Sequence, residues 1–314
     1  MRVVRSLERA RGAFDASVVT IGNFDGVHRG HQVIVRELVD DARQRGADAV
    51  VLTFEPHPVA VLRPDAAPRM LMPLRDRLAA LAELGCDAVV VQPFSERFSQ
   101  VEAPDFVERF LVGSLAAQKI LVGHDINFGK GRAGTPETLI EAGQRYGFAV
   151  EIIGPVDVDG IVVHSNVVRR AVADGDAALA GRLLGRPHRV RGRVVHGAGR
   201  GGGLGFKTAN LKPRTDAVPP EGVYATVATV ADRSVDSVTS IGHTPTFGGS
   251  ETVIEAHLLD DAGDLYGRPM ALDFIDFVRG QKKFSGPEEL VEQITRDVAT
   301  ARERLEAFHR HGTE

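Results

Sequence analysis

The order of strand-like and helix-like segments predicts an α/β unit built on a parallel sheet, followed by an antiparallel all-β unit that ends in a helix. Two rhythms carry that reading. Up to about residue 153, short β-branched runs alternate with amphipathic stretches, whereas from about residue 190 strands follow one another with only turns between them. Alternation with short loops implies parallel strands covered by helices on both faces. Successive strands without helices imply an antiparallel barrel or sandwich.

In the first half, residues 18–21 read as a strand, the glycine-punctuated 22–30 as a loop and 31–45 as a helix. Strands at 49–54, 88–91, 120–123 and 149–153 then alternate with helices at 74–84, 104–115 and 136–146. A helical pair, 166–173 and 177–184, precedes a boundary near 184–188, giving expected domains of residues 1–186 and 187–314. In the second half, 190–195, 223–230, 237–241, 253–259 and 271–278 read as strands. Residues 287–308 carry apolar side chains at 290, 291, 294, 298, 301, 305 and 308, the stripe of a helix that packs on the β unit.

Of 314 residues, 43% are hydrophobic and 25% charged, a balance that excludes a disordered or fibrous chain. No apolar run approaches the roughly 20 residues of a membrane span. No basic start with an apolar stretch precedes Val18, so no secretory signal is expected. The single cysteine, Cys86, excludes an intramolecular disulfide and a multi-thiolate zinc site, and fits a reducing cytoplasm. A formal net charge of −4 without a basic block argues against nucleic acid as a partner. Small molecules are the expected partners, and the oligomeric state is left open.

The segment Gly22-Asn23-Phe24-Asp25-Gly26-Val27-His28-Arg29-Gly30-His31 leaves the carboxyl end of the first strand, where α/β sheets place their sites, and opens the first helix. His28 and His31, three residues apart, can turn both imidazoles to one point. Gly22, Gly26 and Gly30 permit close backbone approach, and helix N-terminal N–H groups favour phosphate. Two histidines and a helix dipole can stabilise charge on the α-phosphate of a nucleoside triphosphate during in-line attack. Taken alone, the spacing also fits a metal pair or two surface histidines.

The run Phe24 to His31 resembles the signature of the HxGH nucleotidyltransferases, specifically the bacterial bifunctional riboflavin kinase/FMN adenylyltransferase (FAD synthetase) family. The likeness continues in order along nearly the whole chain. It passes through Thr53-Phe54-Glu55-Pro56-His57-Pro58, Val122-Gly123-His124-Asp125 and Phe128-Gly129. It resumes at Leu204-Gly205-Phe206, Thr208-Ala209-Asn210, Gly222-Val223-Tyr224, Pro245-Thr246-Phe247, Glu255 to Asp260 and Asp264 to Gly267. The resemblance implies a Rossmann-like nucleotidyltransferase domain with a parallel sheet and a flavokinase β-barrel with a terminal helix. It also implies that His28 and His31 contact ATP phosphates in a loop shaped by Gly22, Asn23, Phe24, Asp25, Gly26 and Gly30. Ser165, Asn166 and Arg169 would position phosphate, and Asp125 would line the nucleotide or flavin site. By itself, Asp125 also suits a turn or a helix cap.

Kinase chemistry needs a phosphate cradle, Mg²⁺ held by oxygen, and an acceptor for the substrate hydroxyl's proton. Thr208 and Asn210 offer hard oxygen donors. Glu255, on the alternating run Val253 to His257, projects to the same side as His257 and can act as general base toward a primary alcohol. Taken alone, it is also the solvent face of a strand. In the resembled family the threonine and asparagine bind Mg-ATP, and this glutamate is the base. The glycine-rich loop from Gly197 to Gly205 could wrap phosphates through backbone N–H groups, with Lys207 beside the metal ligands.

Several positions depart from the family pattern. Asn127 stands where D-F-R-F-G has arginine, and His164-Ser165-Asn166-Val167-Val168-Arg169 stands for S-S-T-x-x-R. Gly202 and Lys207 replace an arginine and a proline. The expected activity is ATP-dependent phosphorylation of riboflavin to FMN, then adenylyl transfer from ATP to FMN, giving FAD and pyrophosphate. The departures open an alternative: a paralogue using a flavin analogue or another nucleotide, as in cytidylyl transfer, or a kinase without adenylyl transfer. A flavin- or nucleotide-binding regulator is a third reading.

Overall fold

The computed structural model describes residues 1–196, 208–231, 233–246, 249–260 and 265–311. Gly197, Gly202, Gly205 and Lys207 lie outside the described residues, as do Phe247 and Asp264. The chain divides into two compact units, Met1–Pro68 with Leu74–His164 and Arg69–Pro73 with Ser165–Glu314.

The first unit opens with β1 (Arg2–Val4), α1 (Leu7–Ala10), β2 (Ser17–Ile21), α2 (Arg29–Arg45), β3 (Asp48–Glu55) and α3 (Pro58–Leu62). It continues with α4 (Leu74–Glu83), β4 (Ala88–Pro93), α5 (Glu96–Ser99), α6 (Ala103–Phe106), β5 (Ala117–Gly123), α7 (Pro136–Tyr146) and β6 (Ala149–Ile153). A hairpin of β7 (Asp157–Val158) and β8 (Ile161–Val162) ends it. The sheet runs β1-β4-β3-β2-β5-β6, and every pairing in it is parallel. All of β2 is buried, as a strand covered on both faces requires. Val19, Ile21, Val50, Leu52, Val90, Ile120 and Val122 form its core with α-helical partners. The chain steps from β2 outward through β3 to β4 on one side and from β5 to β6 on the other. The topological switch point therefore lies between β2 and β5.

One predicted helix differs in kind. Residues 104–115 form α6 followed by a π-helical stretch, Val107–Val112. Its wider turn lets Val107, Phe110 and Leu111 all face the core. β1, α1, α3 and the hairpin are too short for periodicity to reveal.

The second unit holds α8 (Ser165–Ala173), α9 (Ala177–Leu184), β9 (His188–Val195), β10 (Thr208–Pro213), β11 (Gly222–Val230) and β12 (Arg233–Thr246). β13 (Gly249–Leu258), β14 (Pro269–Arg279) and α10 (Pro287–His311) complete it. Six strands close an antiparallel barrel in the order β10-β13-β12-β11-β14-β9, which decides between barrel and sandwich. Val190, Leu211, Tyr224, Ile254, Leu272 and Phe274 share its core. Val223, Ala225 and Val227, the alternate residues of β11, pack instead with Ala301 and Leu305 of α10. Arg279 of β14 fastens that helix with two bonds to Asp297, at 2.8 and 2.7 Å.

Cys86 is 4% exposed, and burial pushes its thiol up to about 12. At pH 8 the reactive thiolate is then only about one part in ten thousand. The native protein is expected to resist iodoacetamide and to be labelled once unfolded in guanidinium. Stoichiometric labelling of the native protein, read by mass spectrometry, would contradict this.

Candidate active sites

Between β2 and α2 the chain turns through Phe24, Gly26 and Val27 with φ of 50, 82 and 40°. For the phenylalanine and the valine this left-handed conformation costs about 1–2 kcal/mol each, so contacts from elsewhere must hold it. Thr53 Oγ1 and Arg77 Nη1 both donate to the Asn23 carbonyl, at 3.1 and 2.6 Å. Gln32 Nε2 donates to the Val27 carbonyl at 2.9 Å. Phe24 and Asp25 are buried.

His28 caps α2, its Nδ1 accepting the His31 backbone N–H at 3.3 Å, which leaves the ring proton on Nε2. The rings of His28 and His31 stack with centroids 3.6 Å apart and planes 16° off parallel. A Cβ on Gly30 would stand 3.2 Å from His28 Cε1 and 3.5 Å from the Val163 carbonyl, and one on Gly22 would stand 3.1 Å from the Phe24 ring. Both glycines give the rings room.

Asp125 follows the end of β5, the strand next to β2, so it shares the switch-point edge with the histidine turn. It is exposed, with its carboxylate 3.9 Å from His164 Nδ1. Asn127, at the family's arginine position, folds back to donate to the Asp125 carbonyl at 2.8 Å. Ser165, Asn166 and Arg169 stand on α8, in the second unit. There Arg169 donates from Nη1 to Asn166 Oδ1 at 2.7 Å and from Nε to the Arg69 carbonyl at 3.1 Å.

On the barrel, Asn210 lies directly opposite Glu255, and Thr208 opposite His257. Opposed residues share a face, and the alternating Ala209, Leu211, Ile254 and Ala256 take the core. Thr208, Asn210, Glu255 and His257 therefore stand together on the other face. On the far side of Glu255 its partner is Ser240 of β12, whose Oγ accepts from Gln281 Nε2 at 3.1 Å. Among the described residues no group of three His, Cys, Asp or Glu side chains could hold a metal. A cation here would rest on hydroxyl and amide oxygens and on substrate phosphates, a donor set that suits Mg²⁺.

Sequence reasoning did not find Arg77, Gln32, Ser240 or Gln281. Thr53 falls inside a recognised motif and could have been found there. The other four carry no local pattern that separates them from ordinary helix and strand residues.

A histidine-headed helix start at a sheet's switch point and an oxygen-rich strand face on a barrel fit the class of an enzyme that handles phosphate twice, a nucleotidyltransferase joined to a kinase. Residues 11–167 match the FAD synthetase family and residues 184–305 the riboflavin kinase family. The bifunctional riboflavin kinase/FMN adenylyltransferase of Escherichia coli strain K12 is 39% identical over 305 residues, 96% of this chain and 97% of that protein. Its Pseudomonas fluorescens counterpart is 41% identical over 303 residues, with the same coverage of 96% and 97%. The Bacillus subtilis protein is 35% identical over 292 residues, 91% of each chain. A crystal structure described as a macrolide-efflux protein from Streptococcus pneumoniae matches with TM-score 0.87 at 30% identity, over 96% of this chain and 98% of that one. Among the described residues no helix is long and apolar enough to cross a membrane. The chain belongs to the bifunctional riboflavin kinase/FMN adenylyltransferase family, and its activities are riboflavin phosphorylation and FAD synthesis.

Gly30→Ala is expected to displace the His28 imidazole by a few tenths of an ångström. FAD formation from supplied FMN should fall several-fold while FMN formation holds, measured by chromatography of products. An unchanged FAD rate would show that the ring's position is not critical.

Proposed function

We propose that residues 1–186 carry adenylyl transfer and residues 187–314 the kinase reaction, with Mg²⁺ and ATP serving the chemistry and the cytoplasm as its compartment. What supports two sites is that the central chemistry-bearing side chains belong to different units, although the units divide after His164 and leave Ser165, Asn166 and Arg169 with the barrel. The stacked His28 and His31 head α2 in one unit, and Glu255 faces Asn210 on the barrel of the other.

In the kinase reaction, Glu255 accepts the proton of the ribityl 5′-hydroxyl as that oxygen attacks the γ-phosphorus of ATP, giving FMN and ADP. Thr208 and Asn210 would hold Mg²⁺, which when bound offsets charge on the ATP phosphates. Gly197, Gly205 and Lys207 would extend this phosphate site from outside the described residues. In the second reaction a phosphate oxygen of FMN attacks the α-phosphorus of a further ATP, and pyrophosphate leaves. His28 Nε2–H, His31 and the N–H groups at the start of α2 stabilise the charge that develops there. Gly22, Asn23, Phe24, Asp25, Gly26 and Gly30 shape the turn around the phosphates. Ser165, Asn166 and Arg169 add donors, and Asp125 lines the same sheet edge. No covalent enzyme intermediate is needed.

Glu255→Ala should lower FMN formation by about 10²–10⁴-fold, the loss typical of a general base, and leave conversion of supplied FMN to FAD intact. His31→Ala should do the reverse, by about 10²–10³-fold. Loss of both reactions in either variant would contradict independent sites. With CTP beside ATP, FAD from ATP is expected, and a cytidylylated flavin would favour the paralogue reading.

A further inference from the structure

We infer that Arg77 is a positioning residue for adenylyl transfer, holding the turn at residues 22–27 in its ATP-receptive shape before ATP arrives. The inference rests on the assignment of that turn to the ATP site. Arg77 lies on α4, far from the turn in sequence, and its side chain is 1% exposed. A charged side chain is rarely buried so fully unless its partners demand it. Its Nη2 meets Glu55 Oε2 at 2.5 Å and its Nη1 meets the Asn23 carbonyl at 2.6 Å.

Glu55 is 43% exposed, so an ion pair with it could have been made at the surface without burying a guanidinium. What the buried position adds is a grip on one backbone carbonyl, at the residue before the left-handed Phe24. The peptide is planar and trans, so fixing the Asn23 oxygen also fixes the Phe24 N–H on the opposite side. That N–H is one of the turn's backbone donors, the kind of group that cradles phosphate. Two atoms in the arrangement, Arg77 Nε and Asn23 Oδ1, are buried without a hydrogen-bond partner among the described residues. Unmatched buried polar atoms in a native fold mark stored strain, a catalytic role or the seat of a bound water or ion, and each of these fits a loop shaped to receive a ligand. The planar fork is needed because a lysine ammonium cannot reproduce its fixed two-pronged geometry.

The test is steady-state adenylyl transfer from supplied FMN at varied ATP, for Arg77→Met, Arg77→Lys and a control, Leu81→Ala, which removes a fully buried side chain from the same helix. Arg77→Met should raise KM for ATP about ten- to a hundredfold, the factor that loss of a charge-assisted hydrogen bond brings. Saturating ATP restores the turn, so kcat should stay within about threefold. Arg77→Lys should lie between, with KM for FMN and the riboflavin kinase rate unchanged in both. Leu81→Ala should lower the melting temperature without moving KM for ATP. An unmoved KM in Arg77→Met, or an equal shift in Leu81→Ala, overturns the inference. If Arg77→Met does not fold, Arg77→Lys carries the same test. His31→Ala run in parallel separates the two levels. Full activity there removes the turn from the ATP site altogether, whereas an inactive His31→Ala beside a normal Arg77→Met overturns the role of Arg77 alone.

Discussion

A backbone turn that L side chains avoid is held open by groups far away in sequence, and the first unit is arranged around that constraint. Phe24 and Val27 sit at positive φ on either side of Asp25 and Gly26. Their cost falls on the N-terminal unit as a whole. β3 supplies Thr53, α4 supplies Arg77 and α2 supplies Gln32, so three elements grip the two ends of one turn. The parallel sheet makes this possible, because β2 and β3 end side by side. It also sets Asp125, just beyond the end of the neighbouring β5, at the same edge.

The barrel solves a different problem with the same economy of means. Strand alternation sends one set of side chains to the core and the other outward, and register decides which outward residues meet. With Asn210 opposite Glu255 and Glu255 opposite Ser240, one row across three strands gathers an amide, a carboxylate and a hydroxyl. A slip of one residue on β13 would turn Glu255 into the apolar interior. The core contacts of Ile254 and Ala256 therefore decide which face of the strand the carboxylate takes.

The departures from the family pattern also acquire local explanations. Asn166, in place of threonine, accepts from the Arg169 guanidinium and so orients the arginine that the pattern retains. Asn127, in place of arginine, bonds within its own turn and presents no cation.

Much of the fold was legible locally. α7, β6 and α9 run over 136–146, 149–153 and 177–184, the spans their periodicity predicts, because apolar spacing is a property of neighbouring residues. The ordered motifs placed His28, His31, Thr208, Asn210 and Glu255 as candidates and indicated the family. Other features were decided only by tertiary structure. β10 is a strand although Thr208–Pro213 lacks a β-branched run, because β13 and β9 pair with it on both sides. Barrel closure depends on the pairing of β9 with β10 and β14, and the grip of Arg77 spans 54 positions. Such pairings join distant residues, so no window of sequence contains them, and the energy that fixes them appears only when the chain has closed on itself.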